Sequence, residues 1–304
     1  MAILQIREVS KSYGRIQALN KVSIEVPEGS VFGILGPNGS GKTTLLSIIL
    51  DVLAADSGSY NWFGEGSSPD IRKKIGSLLE TPNFYHYLSA VNNLKITHEI
   101  SGRGDAGPAI DSVLKQVKLF ERRNTKFSTY SLGMKQRLAI AAALLGGPKV
   151  LVLDEPTNGL DPVGIIEIRQ LITALRNQGH TIIIASHLLD EVEKICTHVA
   201  ILKKGVLVTT GNVDEVLIDE DAVELSAADN SRLFELLREF AGIKNLSKEN
   251  AFVYATFQKG GVNLEEVNRF CFNNGIILNH LLLKKQKLET RFFELTADVH
   301  ENPL

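Results

Sequence analysis

The stretch "VFGILGPNGSGKTTLL", residues 31–46, decides the fold of this chain. A short apolar run turns through glycines into apolar residues at helical spacing, which predicts a buried strand leading into a helix. Residues 36–43 fit the spacing G-x-x-x-x-G-K-[ST], which indicates a phosphate-binding loop when a strand precedes it and a helix follows it. An ordinary glycine-rich turn is the plainer alternative, but the context favours the phosphate loop.

The residue types of this loop suit a nucleotide and Mg²⁺. Glycines let successive backbone N–H groups turn toward phosphate oxygens, and the following helix adds the partial positive charge of its amino end. We expect Lys42 to reach the β- and γ-phosphates and the Thr43 hydroxyl to ligate Mg²⁺. The loop residues predicted to bind the nucleotide are Gly36, Pro37, Asn38, Gly39, Ser40, Gly41, Lys42, Thr43 and Thr44.

The stretch "VLVLDE", residues 150–155, supplies carboxylates for the same site. Its apolar part is typical of a strand buried on both faces of a parallel sheet. Asp154 at the strand end can hold Mg²⁺, directly or through water. Glu155 is expected on the opposite side of the pleat, where it can act as a base toward an attacking water. Two solvated acids at a strand end are the alternative for this stretch taken alone.

Strands and helices alternate through the first two thirds of the chain, which predicts an α/β fold with a mainly parallel sheet. The expected elements are a half-buried strand at 22–26, a helix over 42–53, a turn at 56–59, mostly helical structure over 88–145, a helix capped by Asp161 and started by Pro162, and a strand at 181–187.

The pattern changes after residue 217. The remainder predicts a small α+β unit of βαββαβ order, similar to a ferredoxin-like motif, with strands at 222–226, 242–247, 251–258 and 276–283 and helices at 229–240 and 262–274. A last helix is expected to carry Leu288, Phe292, Phe293 and Leu295. We therefore predict two domains, 1–217 and 218–304.

The order of these motifs resembles the ATP-binding cassette (ABC) family, the nucleotide-binding subunits of ABC transporters. "GPNGSGKTT" resembles Walker A, and "VLVLDEPTNGLDP" resembles Walker B running into the D-loop, which contains Asp161. "ASH" places His187 as the switch histidine, and "VSKSYG" places Tyr13 as the aromatic that stacks on adenine. A satisfied surface histidine and a turn tyrosine are the plainer alternatives for the last two residues.

The resemblance implies a P-loop NTPase of ABC type over residues 1–217, with a parallel-sheet core, an antiparallel β part and a helical subdomain at about 80–145. It also implies ATP hydrolysis with Mg²⁺, with Glu155 as base, His187 at the γ-phosphate and Lys42 stabilising developing charge. The implied partners are a second copy or a homologous cassette in a head-to-tail dimer, and membrane-spanning permease subunits; no nucleic acid is expected.

Two stretches depart from the family pattern. "SLLETPNFY" puts Glu80 where the family usually has the Q-loop glutamine, and we expect this carboxylate to keep a Mg²⁺ role. "LLETP…Y…L…NNL" resembles the branch of antibiotic-resistance and peptide exporters. The usual signature L-S-G-G-Q is replaced by "YSLGM", residues 130–134, which retains Ser131 and Gly133 for contact with the nucleotide of a second subunit.

The composition bounds the remaining possibilities. The chain has 304 residues, 44% of them hydrophobic, and a formal net charge of -2, without a long Lys/Arg run. No apolar stretch reaches the roughly 20 residues of a membrane span. The expected location is cytoplasmic, peripheral on the inner face of the cell membrane. "TPNFYHYLSAVNNL", residues 81–94, is the candidate contact with the membrane subunits; packing within the helical subdomain is its alternative.

Rival functions remain open at this point. A soluble ABC-type ATPase acting on nucleic acid or ribosomes is one, although this chain has a single cassette and too short an interval between Thr44 and Ser131 for a long inserted coiled coil. A non-hydrolytic ATP-binding regulator is another, and Glu155 and His187 speak against it. The motifs do not encode export or import, and the sequence does not identify the transported substrate.

Overall fold

A computed structural model describes residues 1–66, 68–79, 83–101, 106–217, 220–249, 251–258 and 260–284. The chain forms two compact units, Met1–Val213 and Asp214–Leu304. The last predicted helix, with Leu288, Phe292, Phe293 and Leu295, lies outside the described residues.

The first unit contains nine of the described strands and most of the helices. The strands are β1 (Ala2–Tyr13), β2 (Ile16–Pro27), β3 (Val31–Leu35), β4 (Ser57–Trp62), β5 (Ile75–Leu78), β6 (Val150–Asp154), β7 (Thr181–Ser186), β8 (His198–Lys203) and β9 (Val206–Asn212). The helices are α1 (Lys42–Ile49), α2 (Pro69–Arg72), α3 (Ala90–Ser101), α4 (Ala106–Gln116), α5 (Leu132–Leu144), α6 (Pro162–Asn177) and α7 (Leu189–Ile195), with 3-10 turns at Phe120–Arg122 and Phe127–Thr129. None of the helices described by the structure is both long and apolar enough to cross a membrane.

The main sheet confirms the α/β prediction. Its strand order is β5-β6-β7-β3-β8-β9, and every neighbouring pair is parallel except β8 and β9. Strands β3, β6 and β7 are buried along their whole length, as expected for strands covered on both faces. Because these three strands are parallel, their carboxyl ends meet at one edge of the sheet, and this edge carries the loop 36–41, Glu155 and His187.

A smaller antiparallel sheet has the order β2-β1-β4, and this corrects one prediction. The turn expected at 56–59 is wrong, because β4 begins at Ser57. Its polar start becomes a strand through pairing with β1, from Ser10↔Ser57 to Leu4↔Trp62. Trp62, the last residue of β4, is buried in the core, and its indole N–H donates to the Ile49 carbonyl at 2.8 Å.

Helix α1 is shorter than its apolar spacing predicts. The pattern continues to residue 53, but the helix ends at Ile49, and Asp51 follows with a φ of +59°. Leu53 still packs against the core from outside the helix. Apolar spacing indicates which residues are buried, and Leu50 and Leu53 are partly buried without belonging to the helix.

Helices α3, α4 and α5 and the two 3-10 turns occupy the interval predicted to be mostly helical. Helix α5 begins at Leu132 with Ser131 as its N-cap, and α6 begins at Pro162 with Asp161 as its N-cap. Both caps follow the general preference for side chains that accept a hydrogen bond from the first turn. Two predicted site residues therefore lie at helix amino ends.

The second unit has the predicted order of strands and helices. After α8 (Val213–Leu217) its elements are β10 (Glu220–Ala227), α9 (Asn230–Leu237), β11 (Ile243–Glu249), β12 (Phe252–Gln258), α10 (Leu264–Asn273) and β13 (Leu278–Lys284). The sheet order β11-β12-β10-β13 is antiparallel throughout and matches the ferredoxin-like arrangement. Residues such as Val223, Phe257 and Cys271 form its own apolar core.

Candidate nucleotide site

The glycine-rich loop leads from β3 into α1 at the edge where β6 and β7 also end. Pro37, Asn38 and Gly39 are exposed, whereas Gly36 and Ser40 are buried. Gly41 caps α1 with a φ of +103°, and a Cβ there would lie 2.5 Å from the Ala18 carbonyl oxygen. Only glycine suits that backbone conformation and that close approach.

The amino end of α1 has no side-chain cap. The backbone N–H groups of a helix's first turn lack partners within the helix, so they and the helix dipole favour an anion at this position. Thr44 lies partly buried in the same turn. This end of α1 therefore has the features expected of the phosphate cradle that the loop sequence predicts.

Lys42 is buried beneath the loop and aimed at the carboxylates. Its Nζ donates to the carbonyl of Gly36 at 2.8 Å and of Pro37 at 3.3 Å, and lies 3.8 Å from Glu155 Oε1. Burial lowers the pKa of the Lys42 ammonium by removing water, while the negative charges of Glu155 and Asp154 oppose that shift. The cation is held close to two negative charges, those of Glu155 and Asp154.

Thr43 and Asp154 form the hard-oxygen pair of the site. The Thr43 hydroxyl donates to Asp154 Oδ2 at 2.8 Å, and the Asp154 side chain is almost fully buried. A hydroxyl and a carboxylate are ligand types that Mg²⁺ accepts in nucleotide sites. The pair therefore fits the metal role predicted for it, whereas Glu80, the third predicted ligand, lies outside the described residues.

Glu155 takes a position that the strand pattern did not predict. Strand β6 ends at Asp154, and Glu155 adopts a left-handed backbone with a φ of +47° rather than continuing the pleat. Its N–H donates to the Ala185 carbonyl at 2.9 Å, and its Oε2 lies 2.8 Å from His187 Nδ1. The unusual backbone directs the carboxylate between Lys42 on one side and His187 on the other.

The segment that carries Ser131 and Gly133 is a second helix amino end. The Ser131 hydroxyl accepts a hydrogen bond from the Met134 N–H at 3.3 Å, and the Ser131 side chain is exposed. Leu132, which stands at a changed signature position, is about half exposed and would lie 3.3 Å from a Cβ built on Gly159. The exposed serine and the neighbouring Gly133 can therefore face a group outside this chain.

Asp161 and Tyr13 are exposed residues of the first unit. Asp161 is exposed and caps α6 by accepting a hydrogen bond from the Gly164 N–H at 3.0 Å. Tyr13 ends β1, and its side chain is 51% exposed. Ala18 of the paired strand β2 is the residue that lies against Gly41, so the β1–β2 hairpin adjoins the cradle.

One residue of the site was missed by the sequence analysis. Ser186, the last residue of β7, is buried, and its hydroxyl accepts a hydrogen bond from the Leu188 N–H at 3.0 Å. This bond shapes the backbone around His187. A serine at the end of a strand, two residues before the amide it binds, is a recognisable turn signal that could have indicated this role.

Comparisons with known proteins place the chain in a family. A family model described as "ABC transporter" matches residues 19–158. The chain is 34% identical over 300 residues to the bacitracin transport ATP-binding protein BcrA of Enterococcus faecalis, covering 96% of each chain. It is 40% identical over 213 residues to the lantibiotic transport ATP-binding protein SrtF of Streptococcus pyogenes, covering 70% of this chain and 92% of that protein. The similarity to BcrA therefore extends into the second unit.

Solved structures share the fold. The cbiO1 protein of Clostridium perfringens, part of the ABC transporter complex cbiONQ, has a TM-score of 0.66 and 28% identity, covering 79% of this chain and 96% of that one. An ATP-binding cassette solved as a dimer in a post-hydrolysis state with ADP and Pi has a TM-score of 0.62 and 28% identity, covering 69% of this chain and 98% of that one.

Proposed function

This chain belongs to the ABC transporter family as an ATP-binding subunit, an ATPase coupled to transport, and we propose that it powers an exporter through ATP-dependent closure of a head-to-tail dimer. Export is proposed because similar proteins are named for the transport of bacitracin and lantibiotics, and because the sequence pattern from Leu78 onward resembles the exporter branch. One observation carries the catalytic part of the proposal. The Glu155 carboxylate lies 3.8 Å from Lys42 Nζ and 2.8 Å from His187 Nδ1, beside the end of α1 that has no side-chain cap.

The cradle is proposed to hold the phosphates of ATP, with Mg²⁺ beside them. The backbone of residues 36–41 and the first turn of α1 would bind phosphate oxygens, and Tyr13 would stack on the adenine. Thr43 and Asp154 would hold Mg²⁺, with Glu80 proposed as a further ligand. The metal would neutralise negative charge on the β- and γ-phosphates.

Glu155 is the proposed general base for hydrolysis. The carboxylate takes a proton from water as the water oxygen bonds to the γ-phosphorus and the bond between that phosphorus and the β–γ bridging oxygen breaks. Lys42 stabilises the charge that develops on the phosphate oxygens. His187, 2.8 Å from the Glu155 carboxylate, orients that base and contacts the γ-phosphate.

The dimer is proposed because this chain offers two half-sites with different chemistry. The cradle has charges and an open helix end, whereas Ser131 and Gly133 offer only a hydroxyl and a backbone N–H at an exposed helix end. In a head-to-tail pair, Ser131, Gly133 and Asp161 of one copy would face the nucleotide bound to the other. A similar cassette has been solved as a dimer.

The docking loop, which we define as residues 83–89, is the proposed contact with the membrane subunits. Tyr85 and Tyr87 are 52% and 69% exposed, and their rings contact each other edge to face at 5.9 Å between centroids. Beside them a groove of about 420 Å³ opens toward the exposed Ile100. The Phe84 ring packs on Phe127. Phe84 is therefore proposed to hold the loop in place, and the exposed Tyr85 and Tyr87 to contact the membrane subunits.

The remaining parts of the proposal are the location of the protein and the role of the second unit. Docking on membrane subunits would hold the protein at the inner face of the cell membrane, and no nucleic-acid partner is required. We assign ATP binding to residues 1–217 and an accessory role, regulatory or supporting the dimer, to residues 218–304. The separate core of the second unit supports an independently folded accessory element.

The test is the Glu155→Gln variant, which keeps the size of the side chain but removes the base. We expect hydrolysis to fall by about 10³-fold, within the range for general bases, while ATP-dependent dimers accumulate in size-exclusion chromatography. Asp190→Asn, at an exposed carboxylate, is the matched control and should hydrolyse ATP like the wild type. Undiminished hydrolysis by Glu155→Gln would contradict the proposed mechanism.

A further inference from the structure

Asn93 anchors the docking loop from inside the helical part of the first unit. The side chain lies in the first turn of α3 and is 1% exposed. Its Oδ1 accepts a hydrogen bond from the Tyr85 N–H at 2.8 Å, and its Nδ2 donates to the carbonyls of Tyr85 at 3.1 Å and Ser89 at 3.0 Å. One buried amide therefore binds the backbone near both ends of the loop.

Phe127 holds the same loop from the other side. Its N–H donates to the Leu88 carbonyl at 2.8 Å, and the N–H of Ser128 donates to the His86 carbonyl at 3.0 Å. The Phe127 ring, 1% exposed, contacts Phe84 edge to face at 5.2 Å between centroids. Backbone and ring contacts together make the loop and the turn at Phe127–Thr129 one packed body.

This packed body continues directly into the signature segment. Tyr130 donates its backbone N–H to the Phe127 carbonyl at 3.0 Å, and the two rings lie 6.1 Å apart. The Tyr130 side chain is buried, and its hydroxyl donates to the Arg122 carbonyl at 2.7 Å. Ser131, the next residue, therefore starts α5 from a fixed position.

We propose that Asn93 and Phe127 are positioning residues that transmit the placement of the docking loop to Ser131. The link rests on the proposed function, because it needs the loop to meet a membrane subunit and Ser131 to meet the partner's nucleotide. When a partner moves the loop, the turn at Phe127–Thr129 and the amino end of α5 move with it. They move together because breaking the buried hydrogen bonds that join them would leave polar groups without partners, which costs free energy.

The experiment compares Asn93→Ala with Asn92→Ala, its exposed neighbour on the same helix. Losing the buried amide removes three hydrogen bonds to the loop backbone. The Tyr85 and Ser89 carbonyls keep the N–H groups of Leu88 and Asn93 as donors, whereas the Tyr85 N–H loses its acceptor. We expect Asn93→Ala to lower kcat by about 10-fold or more, as for other displaced catalytic groups, while the affinity of the monomer for a fluorescent ATP analogue stays unchanged. Asn92→Ala should match the wild type in both measurements.

Hydrogen exchange provides the second measurement. In Asn93→Ala, backbone amides should exchange faster in 84–89 and also in 127–135, but not in the cradle, 36–46. Phe127→Leu should give the same pattern, and the double variant should lose little more kcat than the worse single variant. Faster exchange confined to 84–89 would overturn the link, as would additive losses of kcat.

A variant with lower stability distinguishes a positioning role of Asn93 from a general loss of folding stability. Val113→Ala removes a buried side chain of α4, in the same helical part. If Val113→Ala matched Asn93→Ala in both melting temperature and loss of kcat, the positioning role would be wrong. If the wild type hydrolysed no ATP, the proposed function would fail, and the exchange pattern alone would still decide whether the loop and Ser131 are linked.

Discussion

The amino ends of α1 and α5 are built differently, although both are expected to face the same nucleotide. The end of α1 is capped by Gly41 without any side-chain hydrogen bond, and a lysine and two carboxylates surround it. The end of α5 is capped by Ser131, whose hydroxyl accepts from the Met134 N–H and keeps its own proton to donate outward.

This difference indicates which of the two half-sites is expected to bind ATP without the other. The α1 end has the N–H groups of a first helical turn, a buried cation and the Thr43–Asp154 pair within one chain, so we expect it to bind ATP as a monomer. The α5 end has a satisfied cap, so we expect it to add a hydroxyl and a backbone N–H to a nucleotide that is already bound. Binding should therefore belong to the first end, and hydrolysis to both.

Ser131→Arg should break the comparison most strongly. The long cationic side chain would occupy the exposed amino end of α5 and prevent a second subunit's nucleotide from approaching. We expect kcat to fall by about 10²-fold or more, comparable to the loss of a transition-state donor, while ATP binding to the isolated monomer changes little. Gln170→Arg, which adds the same cation at an exposed position of α6, should preserve activity. Loss of monomer binding in Ser131→Arg would show that the two ends are not separate.

Thr43→Val should weaken the α1 end by a smaller amount. The substitution keeps the branched shape but removes the hydroxyl that donates to Asp154 at 2.8 Å. We expect the Mg²⁺ concentration needed for half-maximal hydrolysis to rise by about 10-fold, with partial recovery at high Mg²⁺. Thr173→Val, on an exposed part of α6, is the control and should leave the titration unchanged. An unaltered Mg²⁺ titration for Thr43→Val would remove this residue from the metal site.

Asp161→Ala should give the smallest effect and separates capping from function. The cap accepts the Gly164 N–H at 3.0 Å, so its loss should reduce the free energy of unfolding by about 1 kcal/mol in a denaturant titration. Hydrolysis should also fall, by about threefold, because the same residue is proposed to face the second subunit. Asp229→Ala removes the cap of α9 in the second unit and should affect stability but not hydrolysis. If Asp161→Ala and Asp229→Ala hydrolysed ATP equally fast, Asp161 would be a helix cap without a role in hydrolysis.

The sequence predicted the parts of the fold that depend on apolar runs. Strands β3, β6 and β7 are unbroken apolar stretches, and burial on both faces requires that pattern. Strand β4 was missed because Ser57 and Gly58 have the composition of a turn, and only pairing with β1 makes them a strand. Contacts distant in the sequence overrode local preference there.

The site was predicted in its residues more than in its geometry. Motif spacing named Lys42, Thr43 and Asp154, because each has to stand at a fixed distance from a strand end. It did not predict the left-handed backbone of Glu155, which a glutamate rarely adopts and which brings its carboxylate to His187. The anchoring of the docking loop by Asn93 was equally hidden, since nothing local marks an asparagine that binds a loop eight residues away.

Mixing two inactive variants tests the central claim, that one chain holds two halves of different sites. Ser131→Arg and Glu155→Gln chains should each hydrolyse little ATP alone. In a mixed head-to-tail dimer, one site combines the intact cradle of the first variant with the intact Ser131 of the second. Equal mixing should therefore restore about a quarter of wild-type activity, since half of the dimers would contain one intact site. A mixture no more active than its components would contradict the shared site.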